Sequence, residues 1–208
     1  MIESYFVPDQ EVQFEEEIKQ SRFISFVFPV TSEPEFNHRL AEIRQQWPNA
    51  SHYCYAARWA APDNDVSIKS SDDGEPAGSA GRPMLALLSG SDLGEVGAVV
   101  VRYYGGTKLG VGGLVRAYTS GVRHCLTLVA KRQKQLRYPA QVVCGYHELM
   151  DMEYLLNKFD ALLTARYFEQ EVRVEFEVSI KQWPALLTAV QAQFQGRLQL
   201  MALSVRLN

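Results

Sequence analysis

Two stretches of this 208-residue chain gather groups that could do chemistry. In SSDDGEPAGSAGRP, Asp72, Asp73 and Glu75 place three carboxylates within four residues. That is oxygen enough for a hard cation such as Mg²⁺ or for acid–base work. The same residue types also make a solvated turn on Asp-Gly and Glu-Pro, which is the expectation here, since no further metal ligands stand nearby. The second stretch, VVVRYYGGTKLGVGGLVRAYTSG from Val99 to Gly121, holds Gly105, Gly106, Gly110, Gly112 and Gly113 within nine residues. It misses the dinucleotide fingerprint, because the third glycine position is Val115. It misses the P-loop as well, because Val111 and Gly112 stand where Lys and Ser/Thr are required.

What the glycine stretch keeps is the physics those motifs share. Glycines admit positive φ and close backbone approach, and a helix that follows points unpaired N–H groups and partial positive charge forward. Arg102, Lys108 and Arg116 could add full charges. Tyr103, Tyr104 and Tyr118 among those cations are what RNA or a single strand uses for stacking and phosphate contact, and tyrosines buried in a strand explain them as simply. Glycines that only let a strand turn tightly into a helix remain the other reading. His52 with Cys54 and His124 with Cys125 are too close in sequence to identify a nucleophile–base pair, and are read as core thiols with hydrogen-bonded or surface histidines.

Charge sharpens the picture. Residues 1–95 carry 16 acidic and 7 basic side chains, net −9, while residues 96–147 carry 8 basic and no acidic ones. The remainder is near neutral, giving −3 overall and a pI near 5.8. The basic block, with Arg123, Lys131, Arg132, Lys134 and Arg137 continuing it, biases binding toward anions; the acidic total argues against tight non-specific binding and for a local contact. Cys54, Cys125 and Cys144 are odd in number and far apart, so neither a disulfide framework nor a zinc site is expected. No apolar run reaches the roughly 20 residues of a membrane span, and the acidic N-terminus resembles no signal peptide, so the expected location is cytoplasmic.

The elements that must position these groups read as two domains, 1–134 and 135–208, in an α+β chain. Strands are expected at 11–18, 22–30 and in SHYCYAARWA. Between the last two, Ser32 caps a helix with Glu35 three residues on, and Phe36, Leu40, Ile43 and Trp47 form its stripe. Residues 61–83 read as a long polar loop, followed by a short helix with Pro83 in its first turn. A buried strand over 96–104 enters the glycine loop, and a helix of about four turns leaves it from Gly113. KRQKQLR reads as an exposed connector. Beyond it, strands at 137–146, 161–169, 172–180 and 198–207 with helices at 147–159 and 182–194 give the β-α-β-β-α-β order of a ferredoxin-like domain.

SDDGEPAGSAGRPML (71–85) and VVVRYYGGTKLGVGGLVRAY (99–118), with KQSRF (19–23) and the His52 strand, resemble the IMPACT family, and the whole length resembles its bacterial YigZ-type members. The resemblance implies an N-terminal ribosomal-protein-type α/β domain with a left-handed βαβ crossover, similar to domain IV of elongation factor G. It implies a second domain similar to domain V of that factor. Eukaryotic members carry an extra N-terminal module that binds the activator of a translation kinase; this chain starts too close to the family domain to hold it, so that role is not carried over.

The expected function is a non-enzymatic RNA- or ribosome-binding protein connected with translation, with a protein partner also open. Its surface would comprise Arg102, Tyr103, Tyr104, Gly105, Gly106, Lys108, Gly110, Gly112, Gly113 and Arg116, and no cofactor, metal or membrane is expected. The alternative is an enzyme acting on a small phosphorylated or nucleotide substrate, which requires the SDDGEP and glycine loops to converge.

Overall fold

The computed structural model describes residues 3–64 and 66–204. In chain order the first elements are β1 (Ser4–Pro8), β2 (Val12–Ile18), β3 (Ser21–Pro29), α1 (Glu33–Gln46), β4 (His52–Arg58), β5 (Ile68–Ser71), α2 (Gly81–Ser89), β6 (Val96–Tyr103), α3 (Val111–Leu128) and β7 (Lys131–Gln135). Then come β8 (Arg137–Cys144), α4 (Leu149–Lys158), β9 (Leu162–Phe168), β10 (Val172–Ser179), α5 (Trp183–Gln193) and β11 (Met201–Ala202). The chain is α+β. It divides into two compact units, one of Tyr5–Lys134 and one that runs from Gln135 onward and takes in Ser4.

In the first unit a five-stranded sheet runs in the order β2-β3-β6-β4-β5, and every neighbouring pair is antiparallel. Since β3 and β4 both oppose β6, they run parallel to each other, with α1 connecting them and β6 between. The sheet has apolar groups on both faces, which is why β6 reads as an unbroken apolar run rather than an alternation. Ile24, Phe26, Phe28, Val99 and Val101 pack with Phe36, Leu40 and Ile43 of α1. Phe23, Val27, Cys54, Ala56, Ala98 and Val100 pack on the other side with Met84 and Leu88 of α2 and Leu114, Tyr118, Val122 and Cys125 of α3.

Local signals explain the element ends. Lys19 and Gln20, with φ of 48° and 67°, form the two-residue turn between β2 and β3, a pair of left-handed residues whose twist suits a hairpin. Ser32 caps α1 by accepting from the Glu35 N–H at 3.3 Å; the reciprocal arm lands one residue early, with Glu35 Oε2 accepting from the Thr31 N–H at 2.7 Å. Three strands depart from the expectation, β1 among them, since no strand is expected before residue 11. Residues 61–83 are not wholly loop, since IKSS within them forms β5 on the edge of the sheet. KRQKQ is not a connector but β7, which pairs with β1.

The second unit follows the β-α-β-β-α-β element order, with strands arranged β11-β8-β10-β9 and all pairs antiparallel. Val172, Val174, Phe176 and Val178 of β10 and Tyr138, Ala140, Val142 and Cys144 of β8 alternate inward against Met152, Leu155, Leu186 and Val190 of its helices. β11 is two residues long, shorter than the 198–207 expected; residues 205–207 of that stretch lie outside the described residues.

Candidate functional site

Side-chain alternation along β6 decides which of its polar residues point inward. Ala98 and Val100 face α2 and α3, so Arg102 faces them too, whereas Val99, Val101 and Tyr103 face α1. β4 pairs with β6 so that His52 sits opposite Arg102. The result is a cluster at one end of the sheet, beneath α3. Glu75, from the loop between β5 and α2, completes it: its Oε1 accepts from Arg102 Nη1 at 2.5 Å and from the Tyr118 hydroxyl at 2.8 Å. The Arg102 and Glu75 side chains are only 5% and 4% exposed, which makes this a buried, charge-assisted pair. Arg102 Nη2 donates to Ser21 Oγ, which also accepts from the Gly105 N–H.

His52 adds a second contact on the acidic loop. Its Nδ1 lies 2.8 Å from the Asp73 carbonyl, which can only accept, so Nδ1 carries the proton; its Nε2 lies 3.8 Å from Glu75 Oε1. Burial pushes the Tyr118 hydroxyl well above its usual value, and neighbouring Cys54 and Glu75 push it further, so Tyr118 stays a donor to the carboxylate. Burial also pushes the Cys54 thiol up to about 12. With its Sγ donating to the Asp72 carbonyl, Cys54 is a core thiol and not an activated nucleophile.

The three carboxylates of the acidic loop go to three different places. Asp72 accepts from the backbone N–H groups of Gly78, Ala80 and Gly81, and so holds the loop against the start of α2. Burial acts to raise its pKa, but those three N–H groups prevail and hold it below the ordinary value. Asp73 accepts from the Tyr53 N–H at 2.6 Å and pairs with Arg44. Only Glu75 reaches the glycine stretch. The loop is therefore not the solvated turn its composition suggests; it is tied to β4, α2 and β6. Among the described residues no group of three or more His, Cys, Asp and Glu could hold a metal ion.

The glycine loop closes over this cluster. Gly105 passes so near the β2–β3 turn that a Cβ there would lie 1.8 Å from the Gln20 carbonyl oxygen. Gly110 caps α3 at φ 69°, a conformation that favours glycine, and no side chain caps this helix end. No acidic residue lies in the first turn of α3. Between the two loops lies a cavity of about 340 Å³ lined by Glu75, Pro76, Arg102, Tyr104, Lys108, Leu109, Gly110, Val111 and Leu114. Tyr104 is half exposed, with the Arg102 guanidinium 5.4 Å from its ring centre. Tyr103 belongs elsewhere: on the α1 side, it donates to the Pro48 carbonyl.

The basic block looks different once folded. Arg102 pairs with Glu75, Lys131 with Asp92, Arg132 with Asp9, Lys134 with Glu95 and Arg137 with Asp160. Lys108, Arg116 and Arg123 have no acidic partner within 4.0 Å among the described residues, and all three are exposed. Arg116 and Arg123, two helical turns apart on α3, line an open groove of about 440 Å³ with Phe14, Thr119, Ser120, His124 and Thr127. The His124 ring lies 3.9 Å from that of Phe14. Glu16 is the acid beside this groove, taking a hydrogen bond from Ser120. Arg123, His124 and Phe14 were not among the expected site residues; the seven-residue spacing of Arg116 and Arg123 was the available signal.

The Impact N-terminal domain model matches residues 19–126, which include both loops, β6 and most of α3. An IMPACT family member of Haemophilus influenzae is 40% identical over 97% of this chain and 98% of its own length. The family member YigZ of Escherichia coli is 39% identical over 97% and 99%, respectively. A crystal structure of a hypothetical protein, 36% identical, superposes with a TM-score of 0.83 over 99% of this chain and 100% of that one. Matched by the family model over residues 19–126 and by these relatives over nearly its whole length, the chain belongs to the IMPACT family.

Proposed function

We propose that this protein is a non-enzymatic RNA- or ribosome-binding protein of the cytoplasm, connected with translation. One observation carries the reading: the three cations of the basic segment that have no acidic partner among the described residues, Lys108, Arg116 and Arg123, run from the glycine loop along the exposed face of α3, with the half-exposed Tyr104 beside them. Phosphates find charge and uncapped helix N–H groups on that surface, and an unstacked base finds an aromatic ring. The two units support a division near residue 134. The α1 crossover around β6 and the strand order β11-β8-β10-β9 support a likeness to elongation factor G domains IV and V. Fold analogy alone does not carry function, so the weight rests on the surface.

The test is a titration of the full chain against short single-stranded RNA at several salt concentrations. The log of the affinity falls with log salt, with a slope reflecting about three phosphate contacts, roughly −2 for a single strand. Lys108→Ala, Arg116→Ala and Arg123→Ala together remove most of that binding and flatten the slope. Arg102 stays unchanged in the variant, because its charge already serves Glu75. Absence of binding at low salt, to RNA and to purified ribosomes alike, overturns the proposal.

A further inference from the structure

The groove on α3 accounts for backbone contact, but the cavity between the acidic and glycine loops is a separate feature that phosphate tracking does not use. Its lining takes in Gly110, Val111 and Leu114 at the start of α3, where the Val111, Gly112 and Gly113 N–H groups precede the first helical bond, from Leu114 N–H to the Gly110 carbonyl. Two further features, independent of the helix end, point to a ligand. Arg102, 4% exposed and part of the cavity lining, has its Nε buried with no hydrogen-bond partner among the described residues. A guanidinium donor left this way is costly unless something accepts from it. Glu75 takes both its hydrogen bonds at Oε1, which leaves Oε2 for a donor other than Arg102 and Tyr118.

The remaining lining is apolar or aromatic. Pro76, Leu109, Val111 and Leu114 form the walls, and Tyr104 is held in place by donating to the Gly106 carbonyl at 2.6 Å. Lys108 stands among the lining residues, exposed. An occupant must therefore carry an anion, a flat or apolar body and at least one N–H or O–H donor. A nucleoside monophosphate has all three, and the cavity volume lies within the range of small-ligand sites.

We infer that this cavity seats one nucleotide, either free or as the 5′-phosphorylated end of an RNA strand. The phosphate meets the α3 N-terminus and Lys108, and an oxygen of the nucleotide accepts from Arg102 Nε. The base lies against Tyr104 and the aliphatic wall, and a ribose hydroxyl or base N–H donates to Glu75 Oε2. This deepens the RNA-binding proposal by adding a pocket for a single nucleotide beside the backbone-tracking face, and it rests on that proposal only for the RNA-end source.

Calorimetric titration of the full chain with AMP, GMP, CMP and UMP, the four nucleosides, inorganic phosphate, and 5′-phosphorylated and 5′-hydroxyl RNA pentamers tests it. At least one monophosphate binds, and its nucleoside binds at least about tenfold more weakly. Gly112→Asp is the key variant. A Cβ at Gly112 meets no heavy atom within 4 Å, and an acid in the first turn suits a helix, so the fold is kept while a carboxylate repels the phosphate. It weakens monophosphate binding at least about tenfold, and Tyr104→Ala weakens it at least about fivefold. Arg116→Ala with Arg123→Ala leaves it unchanged while weakening the pentamers.

A preference for the 5′-phosphorylated pentamer over both the 5′-hydroxyl pentamer and the free monophosphates identifies an RNA end as the source; the reverse order identifies a free nucleotide. Inorganic phosphate binding as tightly as every monophosphate overturns the nucleotide seat, as does binding indifferent to Gly112→Asp. No monophosphate or 5′-phosphate effect, with RNA binding intact, overturns the pocket and leaves the α3 surface standing. Monophosphate binding without RNA binding does the opposite.

Discussion

Glu75 and Arg102, 27 positions apart in sequence, form a buried ion pair with 2.5 Å between Oε1 and Nη1, and each side chain is about 5% or less exposed. This one contact fastens the acidic loop to the last turn of strand before the glycine loop. Losing either partner strands a buried charge, which costs about 3–5 kcal/mol; replacing both with apolar groups of similar size costs far less. Glu75→Leu and Arg102→Met each lower the urea midpoint by that measure. The double variant Glu75→Leu with Arg102→Met recovers a large part of it. Additive losses would show that the two side chains act separately.

Asp72 holds the same loop from its other end. Its three backbone N–H partners favour the anion, so its pKa in the folded protein is below the ordinary 3.8. A lowered carboxylate contributes its full share of stability above 3.8 and loses it as pH falls through the folded value. Asp72→Ala destabilises by about 2–3 kcal/mol at neutral pH, since the orphaned N–H groups cluster at the start of α2. Between pH 5 and 2 the variant loses less stability than the parent. Acid-melting curves that stay parallel across that range would deny Asp72 this role.

Which parts of this architecture were legible beforehand follows from burial. Strands β3, β6 and β10 read clearly because continuous or alternating apolar residues pack against helices. β5 (IKSS) and β7 (KRQKQ) are edge or ribbon strands with no fully buried residue, so their sequences keep no apolar pattern to read. The charge count failed for a related reason. A net charge summed along the chain cannot see Asp92 meeting Lys131 or Glu95 meeting Lys134 across 39 positions. Arg102 was readable in principle, because it keeps the parity of Ala98 and Val100 and so belongs to the inward face. That Glu75 would answer it depended on the path of a loop that Asp72 and Asp73 help to fix.

Gly105 makes a prediction that separates packing from ligand contact among the glycines. A Cβ there would lie 1.8 Å from the Gln20 oxygen and 2.1 Å from its carbonyl carbon, so Gly105→Ala must move the backbone. The change lowers Tm by several degrees, at a cost of about 2–3 kcal/mol. A Cβ on Gly112 meets open space, and Gly112→Ala leaves Tm unchanged or raised. Equal melting behaviour of the two variants would mean that the glycine loop does not rest on the β2–β3 turn as described.

The cysteines give the sharpest check on whether this cluster is a binding site or a reaction centre. Burial pushes the thiols of Cys54 and Cys125 up to about 12 and raises that of Cys144, and all three are buried. At pH 8 the thiolate fraction of Cys54 is then roughly one in ten thousand. Iodoacetamide added to the native protein therefore leaves the intact mass unchanged over hours, and three adducts form only when denaturant is present. Rapid single labelling at Cys54 in the native state would mean that His52, two residues away on the same strand face, lowers the thiol pKa. A thiolate poised beside Glu75 and Tyr118 would be a nucleophile in search of a substrate, and the binding-protein reading would give way to catalysis.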